Sequence, residues 1–326
     1  MKVLITGGAG FLGQRLAREL LSRGSLKDAR GVPQAITELV LLDVVQANHF
    51  DDSRVRTIVG DIAERSVLER AIDGGTAAIF HLAAVVSGQA EADFELGMRI
   101  NLDASRLLLD VCRQRGHQPR VVFTSSVAVY GGDLPDVVQN DTALNPQSSY
   151  GAQKAIAELL LNDYSRRGFV DGRVLRLPTI SVRPGRPNAA ASSFASGIIR
   201  EPLNGEQAVC PVDASTRLWL LSPRKAIECL IAGLELDAAR LGNQRVLNLP
   251  GICVSVDEMV AALREVAGDE VAKRIVWQPD ARVEKIVGSW PGRWDTSRAE
   301  QLGLAGEQSF ADVIRGYIAD EGIQVR

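Results

Sequence analysis

Residues 2–13 read KVLITGGAGFLG. KVLIT has the apolar, branched composition of a buried strand. FLGQRLARELLSRG follows with apolar residues at helical spacing and stops at Gly24. Between the two stand Gly7, Gly8 and Gly10, with Gly13 one turn into the helix. Glycines let such a turn take positive φ, let the backbone approach a pyrophosphate and let the helix pack closely on the strand. The helix start adds free N–H groups and a partial positive charge. The string Gly8, Gly10, Gly13 is G-x-G-x-x-G, and Gly7, Gly10, Gly13 is G-x-x-G-x-x-G. At a first strand–helix turn this spacing predicts a dinucleotide cradle, with Phe11 and Leu12 at the first helical positions.

The alternation continues outward. ELVLLD (38–43), RTIVGD (56–61), AAIFHLAA (77–84), RVVFTSS (120–126) and GRVLRLPTISV (172–182) read as strands. The stretches 93–116 and 148–168 read as helices, and residues 24–37 as a loop insertion. Apolar strands alternating with helices predict an α/β fold, a Rossmann-type doubly wound parallel sheet. The second half is less regular. RVLNLPG (245–251) reads as a strand, Ser255 and Glu258 form a capping box, and SFADVIRGYIADEG reads as a helix. The expected organisation is a dinucleotide-binding domain over 1–176 plus about 215–248. A smaller, mainly C-terminal substrate lobe covers about 177–214 plus 249–326.

Composition narrows the function classes. The 326 residues are 46% hydrophobic and 24% charged, with net charge −3, which gives no basic footprint for nucleic acid or an anionic membrane. The apolar run at the N-terminus is too short for a signal peptide, and no run approaches a membrane span. Cys112, Cys210, Cys229 and Cys253 are scattered without a C-x-x-C pair, and His49, His81 and His117 are dispersed. The expectation is a cytoplasmic protein without metal, disulfide, nucleic-acid or membrane partner.

Asp43 ends the second long strand. A carboxylate there accepts hydrogen bonds from both adenosine ribose hydroxyls and repels a 2′-phosphate, which favours NAD over NADP. Asp61 ends the next strand and either holds the adenine amino group or serves only the turn.

SSYGAQKAI (148–156) puts Tyr150 and Lys154 one helical turn apart, on one face. A phenol with pKa near 10 is a poor base at neutral pH. Bringing it to about 7 takes roughly 4 kcal/mol. A cation about 5 Å away, at an effective dielectric near 20, supplies about 3 kcal/mol. Lys154 alone falls slightly short, and an oxidised nicotinamide supplies the rest. The pair then makes a phenolate that takes a proton from an alcohol while hydride leaves the same carbon. Ser125 and Ser126 stand where a parallel strand reaches its C-terminal edge, and a serine hydroxyl there can hold the substrate oxygen.

Together GGAGFLG, Asp43, GDI (60–62), HLAA (81–84), Asn101, SSVAVYG and YGAQK resemble the extended short-chain dehydrogenase/reductase family, also called the NAD-dependent epimerase/dehydratase family. The resemblance implies a catalytic Ser126, Tyr150 and Lys154. It also implies NAD contacts from the glycine loop, Asp43, Asp61, Ile62, Leu82, Ala83, Ala84, Asn101, Ser125, Tyr150, Lys154 and Pro178. A homodimer through the helices around 93–115 and 150–167 is implied too.

Many sugar-nucleotide members carry an aromatic–Asn pair where this chain has Pro178 and Thr179. Their R-D-F-x-x-V-x-D segment is replaced by TRLWLLSPRKA, which keeps Arg217 and loses the acids. The second half is similar to a narrower group in the family that oxidises, with NAD, the 2-hydroxyl of a four-carbon sugar acid. The implied substrate is D-erythronate; the alternative is a nucleotide-sugar epimerase or dehydratase that retains its NAD. Arginine binds a carboxylate in bidentate fashion, so Arg217, or else Arg183, is the expected anchor. Ser87, Thr179 and Asn188 are candidate hydroxyl partners, beside Ser126 and Tyr150 at the reacting carbon.

Overall fold

The computed structural model describes residues 1–185, 191–287 and 290–325. They divide into two compact units, one of residues 1–129, 146–176 and 227–247, the other of 130–145, 177–226 and 248–326. Residues 130–145 and 215–226, which the order of elements would assign to the first unit, cluster with the second.

The first unit is built on β1 (Lys2–Thr6), α1 (Phe11–Arg23), β2 (Ser25–Lys27), β3 (Pro33–Ala35), β4 (Glu38–Asp43) and β5 (Val55–Val59). After them come α2 (Arg65–Ala71), β6 (Thr76–His81), α3 (Ser87–Ala92), α4 (Phe94–Gly97), α5 (Ala104–Arg115), β7 (Arg120–Ser126), α6 (Ser149–Arg166) and β8 (Asp171–Leu177). Seven strands form one sheet in the order Val246–Asn248, β8, β7, β6, β1, β4, β5. The pairs β1–β4, β1–β6, β4–β5 and β6–β7 are parallel. The chain runs outward from β1 through β4 to β5, then returns to the other side of β1 with β6. That reversal opens a crevice above the C-terminal ends of β1 and β6, where open α/β sheets bind ligands. The glycine turn and the Leu82–Ala84 loop both leave the sheet there.

Apolar burial drives this arrangement. Val3, Leu4, Ile5 and Leu39 are fully buried in the sheet, while Leu16, Ala17 and Leu20 of α1 bury their shared face. The predicted loop at 24–37 is instead a β-hairpin: β2 pairs antiparallel with β3, and the Asp28 carboxylate accepts from Arg30 and Val32 amides to close its turn. The single helix predicted over 93–116 is also interrupted. Residues Met98–Asp103 between α4 and α5 are π-helical, an inserted turn that sequence periodicity does not reveal.

The second unit has its own core, including Phe194, Ile198, Leu220, Met259, Leu263 and Ile314. A three-stranded sheet orders Ile252–Ser255, Arg217–Leu221 and Thr179–Ile180. The strand predicted over 172–182 therefore ends as β8 at Leu177; beyond Pro178 the chain pairs with Leu220 and Leu221 in this other sheet. Proline has no N–H to continue a ladder, which is the physical reason for the break. The predicted capping box is formed, with Ser255 and Glu258 bonded reciprocally at the start of helix Val256–Ala267.

Candidate active site

The glycine turn is as tight as its sequence requires. Gly7 has φ +71°, and a Cβ there would lie 2.8 Å from the Ala83 amide nitrogen. A Cβ on Gly13 would lie 2.1 Å from the Gly7 carbonyl oxygen. Only glycine lets α1 start this close to β1. The cap, Gly10, brings no side-chain acceptor, and the first turn has no acidic residue. Its N–H groups are thus left to an external anion. Phe11 lies under the Arg15 guanidinium, 4.9 Å from the ring centroid, and Leu12 follows it in this first turn.

At the end of β4, Asp43 Oδ2 accepts from the Ala9 amide at 3.0 Å, which ties the carboxylate to the glycine turn. Asp61 Oδ1 accepts from the Ala63 amide at 2.8 Å, and Oδ2 pairs with Arg99 at 2.5 Å. Arg99 and the Ala63 amide together hold the Asp61 carboxyl below the usual range against the opposing effect of its burial. Ile62, the next residue, is buried in the core. A cradle that a Cβ would fill, a bare helix start and a fixed carboxylate at the next strand end fit a dinucleotide.

Ser126, Tyr150 and Lys154 share the first unit. Ser148 caps α6 by accepting from the Gly151 amide, which sets Tyr150 in the first turn. A Cβ on Gly151 would lie 2.1 Å from the Ala128 carbonyl oxygen. The glycine therefore lets the start of α6 pass against the Val127–Val129 turn that follows Ser126. Ser126 Oγ accepts from the Ala128 amide at 3.1 Å. Lys154 is buried, donates to the Thr124 carbonyl at 2.9 Å, and lies 4.6 Å from the Phe123 ring centroid and 5.6 Å from that of Tyr150.

The electrostatics correct one expectation. Lys154 was to bring the phenol most of the way to neutrality. Instead burial pushes Tyr150 up to about 12, with only a smaller opposing pull from the Ser126 hydroxyl. Burial also brings Lys154 down to about 8, resisted by the charge of Glu158. Desolvation thus works against the phenolate and the ammonium alike.

The other predicted cofactor residues divide by what their side chains already hold. Asn101, on the π-helical turn, accepts from the Val85 amide at 2.8 Å and donates to the Val85 carbonyl and to Gln153. It supports the loop after β6, which carries Leu82, Ala83 and Ala84. Ser125 points to the opposite face from Ser126 and donates to Glu158 Oε1 at 2.5 Å. Ser87 opens α3. Sequence reasoning missed Glu158 and Arg176; the only local signal was the four-residue spacing from Lys154 to Glu158, which also suits an ordinary surface pair.

In the second unit, Pro178 is buried and Thr179 pairs with Leu220. Asn188 lies outside the described residues. Arg217 is exposed, donates to Cys253 Sγ at 3.3 Å and stands 3.6 Å from Glu258 Oε2. Arg183 is half-buried, and among the described residues the one charged group acting on it is Arg200. Burial and Arg200 both lower its pKa. A partly desolvated guanidinium whose one charged neighbour among the described residues is another arginine is suited to an anion.

The NAD dependent epimerase/dehydratase family description matches residues 3–221, and this chain belongs to that family. It is 67% identical to a D-erythronate dehydrogenase of Cupriavidus necator over 323 residues, 99% of each chain. It is 46% identical to a D-erythronate dehydrogenase of Haemophilus influenzae, covering 98% of this chain and 99% of that one. Among solved structures, the nucleoside-diphosphate-sugar epimerase of Agrobacterium tumefaciens superposes with TM-score 0.94 at 43% identity, over 100% of this chain and 96% of that one.

Proposed function

We propose that this chain oxidises the C2 hydroxyl of D-erythronate, giving 2-oxo-erythronate and reducing NAD to NADH. The observation that carries this reading is 67% identity, end to end, to a D-erythronate dehydrogenase. The site suits the chemistry. Gly7, Gly10 and Gly13 would hold the pyrophosphate, and Asp43 the adenosine ribose. Bound there, NAD supplies the hydride acceptor and a positive charge. Ser126 orients the substrate hydroxyl, Tyr150 takes its proton, and Lys154 stabilises the phenolate. For the carboxylate, Arg183 is supported because no acid among the described residues acts on it, whereas Arg217 already faces Glu258.

The solved epimerase favours a second reading, turnover of a nucleotide sugar with retained NAD. Pro178 and Thr179 speak against it. Cofactor preference tests the NAD reading, and UDP-sugars separate the two. Catalytic efficiency should be much higher with NAD than with NADP, because Asp43 repels the 2′-phosphate, and Asp43→Ala should narrow the gap. UDP-sugars should neither be turned over nor raise the melting temperature. Equal use of NAD and NADP, or turnover of a UDP-sugar, would overturn the assignment.

The four cysteines are free, and no described helix is long and apolar enough to cross a membrane. This supports a cytoplasmic setting. Exposed Phe94 on α4, with Ile156 and Leu159 on α6, supports a homodimer through those helices, which a one-chain mass by light scattering would contradict.

A further inference from the structure

Glu158 stands one turn beyond Lys154 on α6 and is 1% exposed. Its carboxylate receives Arg176 Nε at 2.9 Å and Nη2 at 2.6 Å from β8, and Ser125 Oγ at 2.5 Å from β7. Three elements thus converge on one buried carboxylate. Burying an ion pair is costly and adds little stability relative to a well-packed apolar pair. Its placement therefore asks for another reason. Lys154 supplies one. Its ammonium is buried against a carbonyl and a phenyl ring, and among the described residues the one negative group acting on it is Glu158.

Among the described residues, several titratable groups stand near Lys154. On α6 these are Tyr150 and Glu158. From β8 comes Arg176, already bound to Glu158. From β6 comes His81, whose nitrogens meet Thr6 Oγ1 and Ser105 Oγ. Burial lowers His81 to about 3, so it is neutral. The facing residues of β7, Phe123, Thr124 and Ser125, carry no charge.

We propose that Glu158, held by Arg176 and Ser125, is a positioning residue that keeps Lys154 charged and thereby sets the pH range in which Tyr150 accepts the substrate proton. This rests on the reading of Tyr150 and Lys154 given above. The sign follows directly. Without the Glu158 charge, Lys154 loses its proton at lower pH, since burial is then unopposed and Arg176 adds repulsion. A neutral lysine no longer favours the phenolate, so the phenol deprotonates at higher pH. Oxidation uses the phenolate, and the rising limb of kcat/KM against pH moves upward.

The test is that profile for Glu158→Gln, measured with NAD and the acid oxidised by the wild type. The limb should move up by about one pH unit or more, with activity near pH 7 falling about tenfold per unit and recovering in alkali. A purely structural role would lower the rate at every pH and leave the limb in place. The single variant strands Arg176 in the core, so Glu158→Gln with Arg176→Met is the second variant, removing both charges. Its limb should also move up, by less than in the single variant because a repulsion is removed with the attraction; a limb at the wild-type position in both folded variants overturns the proposal. The wild-type limb itself must vanish in Tyr150→Phe. If it persists there, the underlying reading of Tyr150 fails; if it vanishes while the Glu158 variants do not shift, only the role of Glu158 fails.

Discussion

Tyr150→Phe should lower turnover by about 10²–10⁴, the span of general-base contributions, while NAD binding stays close to wild type. The substitution keeps the ring in the first turn of α6 and removes only the proton acceptor. Burial pushes the phenol up to about 12 even with Lys154 beside it, so it needs a further positive charge to act as a base near neutrality. Oxidation should accordingly quicken with rising pH, because the phenolate is the form that takes the proton. Calorimetric titration with NAD, alongside steady-state rates, checks both halves. Near-normal turnover would mean that another group takes the proton.

The second large effect is expected at Arg183. Removing a charged partner from a desolvated pair costs about 2–5 kcal/mol, a factor of about thirty or more. Arg183→Ala should therefore raise KM for D-erythronate at least that much, while hardly changing oxidation of an uncharged four-carbon polyol at high concentration. Arg217→Ala should have the smaller effect, since that guanidinium is exposed and already faces Glu258. If Arg217→Ala instead shows the large, acid-selective loss, the carboxylate belongs to Arg217. Equal loss of acid and polyol activity with Arg183→Ala would make Arg183 structural.

The features legible in the sequence are those that are local. Gly7, Gly10 and Gly13 answer to one turn, and Tyr150 with Lys154 to one helical face, so spacing alone finds them. Asp43 is found because a strand end is readable from its apolar run. What escaped depends on partners distant in the chain. Nothing near residue 158 says that its carboxylate meets Arg176 and Ser125 in the core. The preference for Arg183 over Arg217 comes from Arg217 facing Glu258, forty-one positions away. The hairpin at 25–35 was hidden for another reason, since three-residue strands carry too little periodicity to register. Spacing also reports the cation near Tyr150 and not the burial that opposes it.

If the chain oxidises D-erythronate, the hydride passes from C2 to NAD. Incubating the protein with NAD and D-erythronate deuterated at C2, followed by mass spectrometry of both products, tests it most directly. The expected products are a deuterated reduced cofactor and an unlabelled 2-oxo acid, with a slowed hydride-transfer step. Unlabelled NADH beside a product that keeps its deuterium, or no NADH at all, would contradict it.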